Sequence, residues 1–258
     1  MSRALCLVLA LLAGCATQLP AGPSASTGDI VGEPSSPRNR ARIHTELATL
    51  YYARGNMSVA LEELRTAVSA DPTYGTAHGI LGLVYMELRE NDLAQQSFER
   101  ALRYAADDPD INHNYGWFLC QTGKAGDAAP YFQRALGNPL YATPARSYAA
   151  AGTCALRVGR LAEAEDNLQR ALRVDPEQPT ALLQSAQLRY RQGRFNDARQ
   201  LVVRHARVAA ATPESLWLAL RIERRLGARA AELSYANQLR RRFPGSPEFQ
   251  SLQRGDYE

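Results

Sequence analysis

Cysteine and histidine are the residue types in this chain best suited to nucleophilic or metal chemistry, and the sequence contains four of each. His44, His78 and His113 recur at nearly equal intervals, so imidazoles from neighbouring helices could stack and share a metal ion. Cys120 follows His113 closely enough for the two to be considered as nucleophile and base. Either interpretation depends on which elements of structure position these side chains.

Those elements are indicated by small residues that recur every 34 residues from residue 41 onward. Ala60, Ala94, Ala128 and Ala164 hold equivalent places, and two extra residues are inserted near Thr143. A period of about 34 residues is typical of the tetratricopeptide (TPR) repeat, a helix-turn-helix unit. The sequence therefore predicts an all-α fold of six TPR repeats, at 41–74, 75–108, 109–142, 145–178, 179–212 and 213–246.

The recurring positions, counted from the first residue of each range, have packing roles. A small residue at position 8 and an alanine at position 20 let the two helices approach closely, and an aromatic residue near position 24 fills the space beside them. Glycine at position 15 occupies the turn between the helices. Because one repeat cannot bury its apolar face alone, we expect a right-handed superhelix with a concave groove. Residues 247–258 are assigned to a C-terminal tail.

The repeats weaken both chemical interpretations. His44 and His78 share position 4, so the repeat period itself accounts for their spacing, and no carboxylate or cysteine completes a zinc-like ligand set. The whole folded length is used by repeats, which leaves no oxyanion loop around Cys120. The net charge of +4 comes from arginines scattered among acidic residues. We therefore expect no enzyme activity, no metal or other cofactor, no small-molecule substrate and no nucleic-acid partner.

The N-terminus indicates export. Arg3 precedes an apolar run, Ala4–Leu12, which is too short to span a bilayer and predicts a signal peptide over residues 1–14. The run ends in "LAGC", which resembles the lipobox of bacterial lipoproteins; that resemblance implies cleavage before Cys15 and acylation of it. Ala16 then implies anchoring at the periplasmic face of the outer membrane. Residues 15–40 are rich in Pro, Gly, Ser and Thr and predict a flexible tether behind the lipidated cysteine.

The groove is predicted to be lined by positions 2, 5, 9 and 12 of each first helix. In the early repeats these positions carry Tyr52, Leu83, Met86 and Trp117, an apolar set suited to an amphipathic helix or an extended apolar segment of another protein. The alternative is that these side chains only pack between repeats. Polar and basic residues follow at Arg146, Thr180, Gln187 and Arg191.

Residues 112–159 carry the most specific motifs: "NYGWFLCQTG", "YFQRAL" and "NPLYATPARSYAAAGTCALRVG". With the lipobox and the repeats, they resemble the PilF/PilW family of type IV pilus biogenesis lipoproteins. The resemblance implies a pilotin, an outer-membrane lipoprotein that helps the pilus secretin to reach or assemble in that membrane. The alternative is a TPR adaptor lipoprotein of another envelope machine, such as barrel assembly or a different pilus system.

In a lipoprotein of this kind Cys6 leaves with the signal peptide and Cys15 carries the lipid, so Cys120 and Cys154 remain. They occupy positions 12 and 10 of adjacent first helices, and the periplasm permits disulfides. We expect a structural cross-link between repeats three and four; the alternative is two small buried thiols.

Overall fold

The structure is a computed structural model that describes residues 36–257. These residues form thirteen α-helices and one 3₁₀ turn, Ala125–Asp127, with no strand among them. The helices are α1 (Pro37–Ala53), α2 (Met57–Ala70), α3 (Gly75–Glu87), α4 (Asn91–Tyr104), α5 (Pro109–Gln121), α6 (Ala129–Leu136), α7 (Pro144–Arg157), α8 (Leu161–Val174), α9 (Pro179–Arg191), α10 (Phe195–Val208), α11 (Pro213–Arg225), α12 (Arg229–Arg242) and α13 (Pro247–Arg254).

The helices pack in consecutive pairs, from α1 with α2 to α11 with α12, and each pair contacts the next. The first helices also contact one another in series, α1 to α3 and onward to α11. This is the arrangement in which each repeat buries its apolar face against its neighbours. The prediction of an all-α TPR superhelix is confirmed.

Local sequence fixes where the helices begin and turn. Asp108 accepts hydrogen bonds from the backbone N–H groups of Asp110 and Ile111 at the start of α5, and proline occupies the first turn, where its missing donor costs nothing. The position-15 glycines have a positive φ, between +71° and +84°. In repeat two Arg89 takes this place with a φ of +63°, a conformation that glycine adopts at less cost.

The core depends on a pairing between positions 8 and 24 of each repeat. A Cβ added to Gly82 would lie 2.7 Å from the ring of Phe98, and one added to Gly152 would lie 2.7 Å from Leu168 Cγ. Phe98 and Leu168 are fully buried or nearly so. The glycines are therefore required by the close approach of a large side chain from the second helix of the same repeat.

The structure adds detail at both ends of the repeat array. The tether does not extend to residue 40, because α1 begins at Pro37, where the Ser36 side chain accepts a hydrogen bond from the Asn39 N–H and caps the helix. The assigned tail, 247–258, contains helix α13, which packs on α11 and α12 and begins with a second serine cap, Ser246. Its apolar side chains cover the last repeat.

Repeat three has an irregular second helix. Helix α6 has only eight residues and is preceded by the 3₁₀ turn Ala125–Asp127. Pro130 lies in its first turn and cannot donate a backbone hydrogen bond, which prevents the α-helix from extending toward the turn.

The predicted signal peptide (1–14), Cys15 and the tether up to residue 35 lie outside the described residues. Within residues 36–257, no helix combines the length and the apolar character needed to cross a membrane.

Candidate partner-binding groove

The four predicted groove residues lie on successive first helices: Tyr52 in α1, Leu83 and Met86 in α3, and Trp117 in α5. All four are partly buried. Leu83, Met86 and Trp117 pack against one core cluster, whereas Tyr52 packs against the cluster formed by the first two repeats. Each side chain therefore contributes to packing between repeats and still presents surface to solvent.

Arg146 is the charged centre of this face. Its guanidinium donates to Asn114 Oδ1 at 3.1 Å, which links α7 to α5. Burial raises the pKa of Tyr52, and the Glu87 charge adds to that rise, while Arg146 opposes it. Arg146 thus acts electrostatically on a residue three repeats earlier in the chain, although α7 and α1 are not in contact.

Two cavities flank Trp117. One of about 210 Å³ is lined by His113, Trp117, Arg146 and Thr180, among others. The other, of about 420 Å³, extends from Trp117 past Arg157 to Arg191. Trp117 therefore lines both cavities, and each has arginine in its walls.

Cys120 and Cys154 are joined by a disulfide with a Cα–Cα distance of 5.6 Å, and both are buried. Arg157, one turn after Cys154, donates to the Cys120 carbonyl oxygen at 2.9 Å, and its guanidinium lies 5.8 Å from the centre of the Trp117 ring. The bridge therefore fixes α5 against α7 directly beneath the groove.

His113 is buried between the same two helices. Its Nδ1 is 2.8 Å from Ser147 Oγ, which is also 2.9 Å from the Tyr141 hydroxyl. Burial, aided by the positive charge of Arg146, lowers the pKa of His113 to about 3. Because Cys120 is bonded to Cys154 and His113 contacts Ser147, the structure does not bring Cys120 and His113 together as nucleophile and base.

The three histidines considered as metal ligands have separate partners. His44 Nδ1 is 2.6 Å from Glu63 Oε2, and His78 Nε2 is 2.9 Å from the Pro72 carbonyl oxygen. Over the residues described, no three His, Cys, Asp or Glu side chains are grouped so that they could hold a metal ion.

Tyr190 in repeat five and the concave residues of repeat six were not among the predicted groove residues. Tyr190 occupies position 12 of repeat five, and Trp217 and Arg221 occupy positions 5 and 9 of repeat six. The Arg221 guanidinium lies 4.9 Å from the centre of the Tyr190 ring and 5.8 Å from that of the Trp217 ring. The signal was available, since these positions follow the same groove rule that selected Leu83 and Trp117.

Comparison with known proteins agrees with this geometry. Models of the tetratricopeptide repeat match residues 45–94, 81–144 and 155–221. The type IV pilus assembly protein PilF of Pseudomonas aeruginosa is 30% identical over 217 residues, which cover 84% of this chain and 86% of that protein. The chain belongs to the PilF/PilW family.

Solved structures of PilF/PilW proteins have the same architecture. The crystal structure of PilW, described as a widely conserved type IV pilus biogenesis factor, superimposes with a TM-score of 0.75 at 32% identity and covers 83% of this chain and 98% of its own. The structure of Pseudomonas aeruginosa PilF also gives a TM-score of 0.75, at 28% identity, covering 85% of this chain and 99% of its own. Family membership supports a role in type IV pilus assembly.

Proposed function

We propose that this protein is a pilotin: an outer-membrane lipoprotein, anchored at the periplasmic face through Cys15, that assists assembly of the type IV pilus secretin. In this proposal the concave groove of the first three repeats holds an apolar segment of the secretin during its transit. The TPR repeats act by binding and catalyse no reaction.

The observation that carries the proposal is the row of partly exposed apolar side chains on successive first helices. Leu83, Met86 and Trp117 rest on one core cluster, so their positions are fixed before a partner arrives. A rigid apolar surface loses little conformational entropy on binding, which favours association with an apolar segment. Tyr52 extends the same surface toward α1.

The test is Leu83→Glu in the full chain. A carboxylate held against an apolar partner remains unpaired, so we expect association with the secretin to weaken at least about tenfold. The measurements are the amount of secretin multimer in outer-membrane fractions and the secretin that co-purifies with the solubilised protein. Leu93→Glu is the matched control, because Leu93 is exposed on the second helix of the same repeat.

The thermal melt separates binding from packing, since Leu83 also contacts the core. A normal melt together with full multimer levels would show that the secretin binds to another surface of the protein. A collapsed melt would assign Leu83 to packing alone, and Met86→Gln, a smaller change at the same surface, would then test the groove. Co-purification with a different envelope machine in place of the secretin would favour the adaptor alternative.

The anchor has its own test. Cys15→Ser removes the sulfur that the lipid would modify, so we expect an unlipidated protein in the soluble periplasmic fraction with its repeats folded. Labelled fatty acid on the variant, or unchanged sedimentation with the outer membrane, would contradict the anchor. Cys6→Ser is the control, because Cys6 lies within the predicted signal peptide.

A further inference from the structure

We infer that Arg191 and Arg221 form a carboxylate-binding site on the concave face of repeats five and six, which takes an acidic side chain of an extended segment of a partner protein. The site lies away from Leu83 and Met86 and does not depend on the identity of the partner proposed above. It goes beyond that proposal by giving the second half of the groove a ligand of its own.

The first observation is the environment of Arg221. Its side chain is partly buried, and its guanidinium is flanked by the rings of Tyr190 and Trp217. Among the described residues its Nε is buried without a hydrogen-bond partner, and Nη2 has only a long contact of 3.4 Å with Gln187 Oε1. Two aromatic rings hold the guanidinium in place and leave its charge without an anion.

The second observation is that the charge of Arg191, the residue after Tyr190, acts on Arg221 with the same sign. Burial lowers the pKa of Arg221, Tyr190 opposes that change, and the positive charge of Arg191 adds to it. Arg191 is exposed at the end of α9 and lines the cavity of about 420 Å³. Two like charges that act on each other beside the Tyr190 ring create a positive potential that an anion would relieve.

The third observation is the contrast with three neighbouring arginines that each have a carboxylate partner. In residues 36–257 neither Arg191 nor Arg221 has a carboxylate within ion-pair distance. The paired neighbours are Arg189 with Glu165, Arg199 with Glu223, and Arg224 with Glu232. Unlike these three, Arg191 and Arg221 keep their charge available for an external carboxylate.

The charge pattern along α11 favours an extended peptide over a free anion. Glu214 lines the same cavity and is contacted by Gln184 Nε2 at 3.4 Å. It precedes Arg221 by seven residues, which corresponds to about 10 Å along a helix. A segment lying along the groove can place a carboxylate at the Arg191–Arg221 end and a neutral or basic residue near Glu214.

The experiment measures binding of short fluorescent peptides to the purified full chain in detergent, by fluorescence anisotropy. The probe is a peptide of alternating glutamate and alanine, blocked at both ends; the same peptide with glutamine in place of glutamate is the uncharged comparison. We expect the glutamate peptide to bind more tightly than the glutamine peptide, and its affinity to fall as NaCl rises from about 50 to about 200 mM. Arg191→Gln with Arg221→Gln should weaken it at least about tenfold.

Arg207→Gln is the matched control, since Arg207 is an exposed arginine on the second helix of repeat five, and we expect less than about a twofold change. The thermal melt of the double variant is recorded in parallel, and Arg221→Lys, which keeps the charge, replaces Arg221→Gln if the melt falls. Equal binding by the double variant and the unmodified chain would overturn the site.

Two further probes distinguish the source of the anion. Binding confined to an uncharged peptide with a free C-terminal carboxylate would overturn the assignment to an acidic side chain. Arginine-dependent binding to vesicles containing phosphatidylglycerol, without binding to the peptide, would overturn the peptide ligand. None of these results depends on the secretin, so failure of this site and failure of the proposed function can be told apart.

Discussion

Repeat two and repeat six each have a first helix of 13 residues and a second helix of 14. They differ in which of the two helices supplies the large core side chain. Repeat two places Gly82 at position 8 against Phe98 at position 24, whereas repeat six places Leu220 at position 8 and Ala236 at position 24. The large side chain has moved from the second helix to the first. What the TPR backbone requires is therefore the combined volume of the two positions.

Position 20 also differs between repeats two and six. In repeat two Ala94 is fully buried, but repeat six has Glu232, which is also buried and accepts hydrogen bonds from Arg224 at 3.0 Å and Arg229 at 2.9 Å. Burial works to raise the pKa of Glu232, and the two arginines lower it overall. In repeat six, ion pairs therefore stabilise a position that is apolar in repeat two.

The groove residues also differ between the early and the late repeats. Position 9 carries Leu83 and Trp117 in repeats two and three but Gln187 and Arg221 in repeats five and six. One surface suits an apolar segment and the other a carboxylate, on a single backbone geometry. The following predictions test this division between the early and the late repeats.

The largest effect on stability should come from the bridge that lies between the two regions. Cys120→Ser with Cys154→Ser opens a loop with a sequence separation of 34 residues, and we expect the free energy of unfolding to fall by about 3–4 kcal/mol. The helical signal should remain, because each repeat also packs on its other neighbour. Urea unfolding followed by circular dichroism measures both quantities.

The bridge itself is checked by mass analysis of native material. The oxidised chain should be lighter than the reduced chain by two hydrogens, with Cys120 and Cys154 in one linked peptide. Two thiols that alkylate freely without reductant would refute the cross-link.

The next largest effect tests the exchange of volume between positions 8 and 24. Gly82→Ala places a Cβ 2.7 Å from the Phe98 ring, so overpacking should cost about 1–3 kcal/mol. Adding Phe98→Val recreates the Ala186–Val202 pair of repeat five. In a double-mutant cycle the pair should cost less than the sum of the single changes; simple additivity would count against volume compensation.

A pH dependence should arise mainly from the early region, at His113. Its pKa of about 3 lies well below the ordinary value of 6.5, so below about pH 6 the unfolded chain binds a proton that the folded chain does not. Stability should therefore decrease by roughly 1.4 kcal/mol for each unit that the pH falls from about 6 toward 4.5.

Urea midpoints across that range measure the slope. His113→Gln should flatten it, whereas His44→Gln, at a partly exposed histidine, should leave most of it intact. Part of the slope should remain in His113→Gln, because burial also lowers the pKa of His205 in the late region, although Glu214 opposes that effect. An unchanged slope in His113→Gln would place the titrating group elsewhere.

The smallest effect should come from single ion pairs, and it should differ between the regions. Glu223, which is buried, accepts from Arg199 Nε at 2.9 Å across repeats five and six, so Glu223→Gln should cost about 1 kcal/mol. Arg42 and Glu46 form an exposed pair on α1, and Glu46→Gln should cost less than about 0.5 kcal/mol. Urea unfolding measures both losses of unfolding free energy. Equal losses for Glu223→Gln and Glu46→Gln would contradict the expected difference between the buried and the exposed ion pair.

The sequence by itself determined the repeat architecture. The 34-residue period, the small residues at positions 8 and 20 and the glycines at position 15 are local packing and turn requirements, so they can be read without coordinates. The period also identified Cys120 and Cys154 as neighbours on adjacent first helices. The exact start of α1 at Pro37 and the helix α13 were missed, because both depend on serine caps and on contacts outside the repeat pattern.

Only the tertiary structure decided which side chains find partners. Arg146 influences Tyr52 across three repeats, and Arg199 is paired while Arg221 is not. Such outcomes depend on how far the superhelix turns between repeats and on side-chain directions across helices that are distant in sequence. A repeat period fixes which positions face the groove, but the distance between charges on different repeats is set by the packing of the whole array.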